Sequence, residues 1–408
     1  MSDPVVRPVG SAPAPRRLPL GELIALLAFL FATVAFSIDA MLPALPELAR
    51  DLTPDDVNRA QLILTSFVAG MGLGTLFAGP LSDAIGRRPA MAIGFTIYLI
   101  AAVAGIFAQS LEMLLVARFV QGLGASGPRI VGTALVRDMY EGREMARITS
   151  FVMMVFMIVP ALAPSIGQLF IWAAGWHGVF AGFVIFGAVG WAWFWLRQPE
   201  TLPPERRRPM NLGSLWSGIR EVLSDREIVL ATIVMTLGFG QMFALLSSAQ
   251  QLFGEAYGKG AQFPLWFAAL ALLAGSGTVL NARLVMTVGM RRMARGAYLM
   301  QIVAAALFLM LILLDLPKNV EFWGFFAWAV SVFMMAGLTF GNLNALAMQR
   351  KGHIAGMTAS VVSALSTIGA VAIAAPVGLA YDGTAVPAAV AALVCSAVAW
   401  ALMGLMRR

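Results

Sequence analysis

Apolar residues run along this chain in blocks of roughly twenty, separated by short polar turns. The first six blocks fall at about 21–45, 59–81, 89–108, 111–136, 147–172 and 177–196. A polar stretch over 197–226 follows, carrying Pro199, Pro203, Pro204, Pro209 and the triplet Arg206-Arg207-Arg208. Six more blocks come at about 227–250, 262–287, 293–314, 320–347, 354–380 and 385–406. Each is long enough to cross a bilayer. Backbone in hydrocarbon must satisfy its own hydrogen bonds, so such blocks are helices. A barrel would need alternating strands of about ten residues, which this pattern lacks. The expected fold is an all-α integral membrane protein of twelve transmembrane helices in two six-helix bundles. A tail covers 1–20, the first bundle 21–196, a linker 197–226 and the second bundle 227–408. The first block is too long for a cleaved signal segment and is expected to stay as the first span.

Composition removes the alternatives. Of 408 residues, 60% are hydrophobic and 12% charged, against about 45–50% and 25% in soluble domains. Nothing remains for a soluble catalytic module, and disorder requires low hydrophobicity. There is no cluster of acids or histidines at one interface, as a polytopic enzyme would need, and no phosphate-binding loop for an ATP-driven pump. Cys395 is the sole cysteine, so no internal disulfide exists. The two histidines, His177 and His353, do not make a four-ligand metal site. No metal and no cofactor is expected.

Charge sets the orientation. The net charge is +7, which in a soluble protein would suggest nucleic acid. Here 22 of the 28 Lys and Arg residues fall at the termini and in even-numbered loops, and 4 in odd-numbered loops. Positive loops stay cytoplasmic. Both termini and the linker are therefore expected in the cytoplasm, in a bacterial inner membrane, with lipid rather than nucleic acid as the surroundings.

The halves repeat. The turn Gly79-Pro80-Leu81-Ser82-Asp83-Ala84-Ile85-Gly86-Arg87-Arg88 is echoed by Ala282-Arg283-Leu284-Val285-Met286-Thr287-Val288-Gly289-Met290-Arg291. Two six-helix units in one orientation imply a pseudo-two-fold axis along the membrane normal, with a substrate site between them near the midplane.

On these residues the chain resembles the major facilitator superfamily, and within it the twelve-helix drug:proton antiporters of the Bcr/CflA type. The Gly79–Pro89 turn is similar to the loop between helices 2 and 3. Leu115-Val116-Ala117-Arg118-Phe119-Val120-Gln121-Gly122-Leu123-Gly124 is similar to the helix 4 motif with its embedded arginine. Pro160-Ala161-Leu162-Ala163-Pro164-Ser165-Ile166-Gly167 resembles the helix 5 antiporter motif, with Gln168 replacing an expected glycine. Asp39-Ala40-Met41-Leu42-Pro43-Ala44-Leu45-Pro46 resembles the end of helix 1. The resemblance implies a monomer that exports amphipathic drugs or small metabolites in exchange for protons, by alternating access. Proton-coupled uptake of a small nutrient on the same scaffold is the alternative.

Asp39 is the candidate proton carrier. A carboxylate within a span costs about 2.5–3.5 kcal/mol on insertion scales, so it is retained for work or for pairing. It lies about 9 Å from the outer end of its span at ~1.5 Å per residue, and Arg118 lies about 10 Å from the same side. The two are expected to pair directly or through water if both helices line the cavity, as they do in the superfamily. Burial favours the neutral acid and a neighbouring cation the carboxylate, so the group is poised to take and release protons. The competing reading is a pair that only ties two helices together. Arg129 shares the face of Arg118 nearer the cytoplasm, where it either guides an anion or snorkels to the interface. Gln121 lies close to the same face.

Gly79, Asp83, Gly86, Arg87 and Arg88 form a gating loop, in which Asp83 is expected to accept from an Arg or a helix N-terminus of the neighbouring bundle; otherwise the loop is a charge cluster that sets topology. Pro160, Pro164 and Gly167 are expected to kink helix 5 into a close-packed surface, which seals against leak or is merely structural. Phe36, Met153, Met154, Met157 and Gln241 are candidates for a soft cavity lining, although such residues also pack against helices or lipid.

Overall fold

The computed structural model describes residues 18–156 and 158–406, and leaves the side chains of Arg143, Ala146, Leu212 and Ser214 undescribed. Among these residues every regular element is helical. The first half contains α1 (Leu20–Asp39), α2 (Leu45–Leu52), α3 (Leu62–Ile85), α4 (Arg87–Ile106), α5 (Leu111–Met139), α6 (Gly142–Phe156) and α7 (Val159–Arg197). A linker helix, α8 (Leu212–Leu223), leads to α9 (Arg226–Gln251), α10 (Phe263–Val288), α11 (Met290–Leu313), α12 (Lys318–Arg350), α13 (Ala355–Leu379) and α14 (Val386–Leu405).

Twelve crossings emerge once two features are understood. Among the described residues, ten stretches are long and apolar enough to span a membrane. One of them, 147–197, turns back on itself at Ala174 and Gly175, where the backbone leaves helical angles and Gly175 takes φ 61°. The neighbours of α7 record the reversal. Gly167 abuts Ala40, Gly175 abuts Glu47, and Gly190 abuts Phe29, so the chain climbs along the first span and then descends it. The other feature is α5. It is too rich in charge to pass on apolarity, with Glu112, Arg118, Arg129 and Arg137 on one helix, yet it is packed tightly between α3 and α4. The α3–α5 contact is backbone on backbone: a Cβ on Gly70 would strike the Phe119 carbonyl, and one on Gly122 the Phe67 carbonyl. Small residues allow such approach where lipid offers no hydrophobic drive.

Two spans differ from their sequence expectation. The block 21–45 is not one helix, because α1 stops at Asp39 and a 3-10 turn, Leu42–Ala44, precedes α2. The block 147–172 begins earlier, at Gly142, and a turn at Ile158 precedes α7.

The repeat extends to the backbone. Gly86 joins α3 to α4 at φ 104°, ψ 163°, and Gly289 joins α10 to α11 at φ 88°, ψ 145°. Both lie in the left-handed region that favours glycine. The halves meet where α3 lies along α13, with Gly72 against Thr367 and Ile368, and where α7 lies along α10.

Candidate functional site

Pro43 stands four residues after Asp39. A proline ring clashes with the carbonyl four residues back and offers no N–H to it, so α1 ends at the acid. Ala40 N still makes the helical bond to Phe36 O at 3.1 Å, but Met41 N turns short, to Ile38 O at 3.3 Å. The Ser37 carbonyl is thereby left without its helical donor. Arg118 supplies one, with Nη2 at 2.9 Å. Its Nη1 donates to Gln121 Oε1 at 2.7 Å, and its Nε lies 3.4 Å from Ile63 O. The guanidinium also faces the Phe67 ring at 4.4 Å and the Phe183 ring at 5.5 Å. Arg118 is fully buried. It acts as a C-terminal cap on a broken helix, where a cation also meets the negative end of the helix dipole.

Ser37 ties in a fourth helix. Its hydroxyl donates to Thr33 O at 2.6 Å, so at 2.7 Å from Tyr98 Oη it accepts. Ser37, Tyr98, Arg118 and Gln121 thus form one buried polar knot across α1, α4 and α5. Gln121 Nε2 is the knot's loose end, buried with no partner.

Asp39 is 6% exposed. Its carboxyl enters no hydrogen bond and no ion pair among the described residues. The direct Asp39–Arg118 pair expected from matched depth is therefore absent: the two residues sit at the same helix end, but the arginine is satisfied by backbone. The helix 5 motif reaches the same point. Pro160 opens α7 within its first turn and Pro164 lies inside it. Gly167 faces Ala40 so closely that a Cβ would strike its carbonyl.

The expected lining residues divide. Phe36 is turned into the first half, stacked on Phe186 at 4.6 Å and edge-on to Phe183 at 5.8 Å. Gln241 is turned into the second half, where Ser396 donates to it at 3.0 Å. Neither lines a space between the halves. Met153 is 40% exposed on α6, but it is Arg147, Ser150, Phe151 and Met154 that line a cleft of about 390 Å³. Met157 lies outside the described residues. Arg129 is half-buried on α5, with no side-chain partner among the described residues.

The gating loop is engaged within its own half. Arg87 is buried and pairs with Asp83 at 2.5 Å and Asp138 at 2.7 Å. Arg88 stacks on Trp195 at 4.4 Å. The N-terminus of α4 is closed by Glu200, whose carboxylate accepts from Arg87 N and Arg88 N at 2.9 and 3.0 Å. Gly86 gives it room. The expected contact of Asp83 with the neighbouring bundle is not made; its carboxylate goes to Arg87 and its backbone carbonyl to Arg208 N of the linker. Gly79 comes near that bundle, with Ser360 Oγ 3.9 Å from a Cβ built on it.

At the opposite end the halves are latched by uncharged groups. Asn58 Nδ2 donates to Leu379 O at 3.2 Å and Tyr381 O at 2.8 Å. Gln61 donates to Gln251 and accepts from Ser248 at 2.9 Å. Gln251 Nε2 reaches Asn58 Oδ1 at 3.2 Å. At the end with the termini the halves also approach, where a Cβ on Gly356 would lie 3.3 Å from Arg137 Nη1. Ser37, Gln61 and Tyr98 are legible as polar groups in apolar blocks, and Gln251 borders one. Glu200 is not, because it acts more than a hundred residues away.

A broken first helix holding a buried acid and two repeated six-helix units that meet along α3 and α13 are the architecture of a membrane transporter. The chain belongs to the Major Facilitator Superfamily, whose pattern matches residues 26–375. It is 30% identical over 378 residues to the uncharacterized MFS-type transporter YdgK of Bacillus subtilis, covering 90% of this chain and 92% of that one. It is 28% identical over 336 residues to the bicyclomycin resistance protein homolog of Haemophilus influenzae, covering 81% and 82%. The fold matches a crystal structure of a D-xylose-proton symporter with a TM-score of 0.75, at 14% identity and over 93% and 97% of the chains.

Proposed function

We propose that this protein exports amphipathic drugs or small metabolites across a bacterial inner membrane in exchange for protons, with both termini in the cytoplasm. The observation that carries the reading is the Asp39 carboxyl, buried and unpartnered at the break in α1. Such a group is costly in a membrane unless it works. It is free to exchange a proton because nothing else claims it. Export is supported by the likeness to a bicyclomycin resistance homolog and by the likeness of Pro160–Gly167 to the antiporter motif. With the latch of Asn58, Gln61 and Gln251 on the periplasmic side, the closed end is the outer one.

The exchange follows from competition. An ionised Asp39 attracts a cationic or polarised substrate, and a proton arriving from outside displaces it. Each ligand lowers the affinity for the other by the same factor, which is antiport by linkage. After Glu22, Asp39 is the only acid in the first block, which favours either one-proton coupling or neutral and weakly charged substrates; with Asp39 as the single carrier, one proton is exchanged per cycle. A neutral substrate then moves against one inward charge, and 100 mV contributes about 2.3 kcal/mol, roughly a 50-fold gradient. A monovalent cation exchanges without net charge and responds to the pH difference alone.

The test uses purified protein in liposomes with an imposed pH gradient, and a fluorescent monovalent cation alongside a neutral amphiphile. Both substrates are expected to move opposite to protons, with membrane potential accelerating only the neutral one. Co-movement of substrate and protons would establish uptake instead.

The latch has its own expected result. Gln251→Leu removes the Gln61 and Asn58 bonds. At a net 0.5–1.5 kcal/mol per hydrogen bond, the outward-open population rises roughly 2- to 12-fold for each bond lost. A cysteine placed at Ala60, which is buried, should react correspondingly faster with an impermeant maleimide added from outside. An unchanged rate means that the latch does not set the equilibrium.

A further inference from the structure

The two halves use the same joint with opposite electrostatics. In the first half the α4 N-terminus, at Arg87 and Arg88, is closed by the Glu200 carboxylate, and Asp83 and Asp138 neutralise Arg87. A Cβ on Gly86 would meet Glu200 Oε2 at 2.6 Å. In the second half Gly289 leads into α11 with nearly the same backbone angles. Arg291 takes the place of Arg88, donating Nη2 to Met403 O at 3.1 Å as Arg88 donates to Trp195 O at 2.7 Å. Arg295 faces Trp400 at 4.6 Å, as Arg88 faces Trp195.

What the second half lacks is the acid. Met286 stands where Asp83 does, and Met290 where Arg87 does. No carboxylate closes the α11 N-terminus among the described residues, and a Cβ on Gly289 would meet nothing within 4 Å. Arg291 Nη1 is buried without a hydrogen-bond partner. Arg291, Arg292 and Arg295 have no acidic partner among the described residues. Three cations thus lie within the first two turns of α11, whose N-terminus, a ready anion site, has no carboxylate where the other half holds Glu200.

The surroundings select the anion. Met286 is 89% exposed on one side of the joint, and Val394, Val398 and Leu405 present an exposed apolar stripe along α14 on the other. Side chains of this kind on a multi-pass protein face acyl chains. Basic pockets at the cytoplasmic side of such proteins hold anionic headgroups. We propose that the joint formed by Gly289, Arg291, Arg292, Arg295 and Trp400 binds the phosphate of an anionic phospholipid, which supplies from the membrane the charge that Glu200 supplies from the chain in the first half. Bound lipid would brace the base of α11 against α14.

The test titrates the full chain, in neutral detergent, with phosphatidylglycerol, phosphatidylcholine or inorganic phosphate, counting retained lipids by native mass spectrometry and following thermal unfolding. Phosphatidylglycerol is expected to be retained and to raise the melting temperature, and the other two to do neither. Arg292→Gln with Arg295→Gln should weaken the tightest phosphatidylglycerol site roughly 25-fold, at about fivefold per cation near the surface. Met286→Asp returns an acid to the place of Asp83 at an exposed position. It should weaken the same site while leaving stability in neutral detergent unchanged, so the test survives if the double variant fails to fold. Retention of phosphatidylglycerol as in the parent by Met286→Asp, or by a folded double variant, overturns the proposal. So does equal stabilisation by inorganic phosphate, which would mark a soluble-anion site.

Discussion

Asp39→Asn is expected to abolish uphill, proton-driven transport, by roughly 100-fold or more, while the protein remains folded at normal levels. The magnitude follows from the chemistry. Asparagine has the shape and polarity of the protonated acid but cannot release a proton, so the cycle loses the step that links substrate release to proton entry. Binding of a neutral substrate should change little, because the variant mimics one protonation state. Stability provides the second readout. The carboxyl has no ion pair and no hydrogen bond among the described residues, so the substitution orphans nothing. It also removes a charge whose place in a span costs about 2.5–3.5 kcal/mol. The melting temperature should therefore stay level or rise, whereas a residue that merely tied helices together would lower it. Asp39→Glu keeps the titrating group and should retain part of the coupled flux. If the asparagine variant still drives substrate uphill, the proton carrier is elsewhere.

The path from sequence to this site was uneven, for physical reasons. The spans were visible because a bilayer demands long apolar blocks, and the joint at Gly86 and Gly289 because only glycine takes that backbone angle cheaply. The break in α1 was missed although Asp39 and Pro43 lie four apart. A hydropathy block reads Ala40 to Leu45 as more hydrocarbon and is blind to a lost N–H. The partner of Arg118 was missed for a related reason: every residue carries a carbonyl, so nothing in the sequence marks Ser37 O as the free one. Phe36 and Gln241 show a third limit. In a soluble protein one apolar face reveals how a helix is turned. In a membrane all faces are apolar, so rotation about the helix axis is hidden, and both side chains face the interior of their own halves. Tyr98 and Gln61 stood out as polar, but their partners lie in other helices and became identifiable only on folding.

Arg118→Met is expected to be the most damaging single change to the first half, and the double variant with Asp39→Asn separates two accounts of why. The methionine fills part of the space between Phe67 and Phe183 but donates no hydrogen bond. Ser37 O and Gln121 Oε1 are then left buried without donors, at about 1–3 kcal/mol each, and the broken end of α1 loses its cation. A fall of several kcal/mol in unfolding free energy would be large against the 5–15 kcal/mol typical of a folded protein. Arg118→Lys should recover little of it, because a compact ammonium cannot cap a carbonyl, reach Gln121 and lie flat against two rings together. If the arginine existed to neutralise Asp39, removing the acid as well would rescue the variant, since the stranded charge would be gone. With the arginine spent on the helix end instead, Asp39→Asn should leave the melting temperature of Arg118→Met unrescued, with a coupling energy below about 0.5 kcal/mol. Transport would then separate the roles: the single Asp39 variant loses coupling but keeps its fold, and the single Arg118 variant loses both, because the break that presents the acid is no longer held in place.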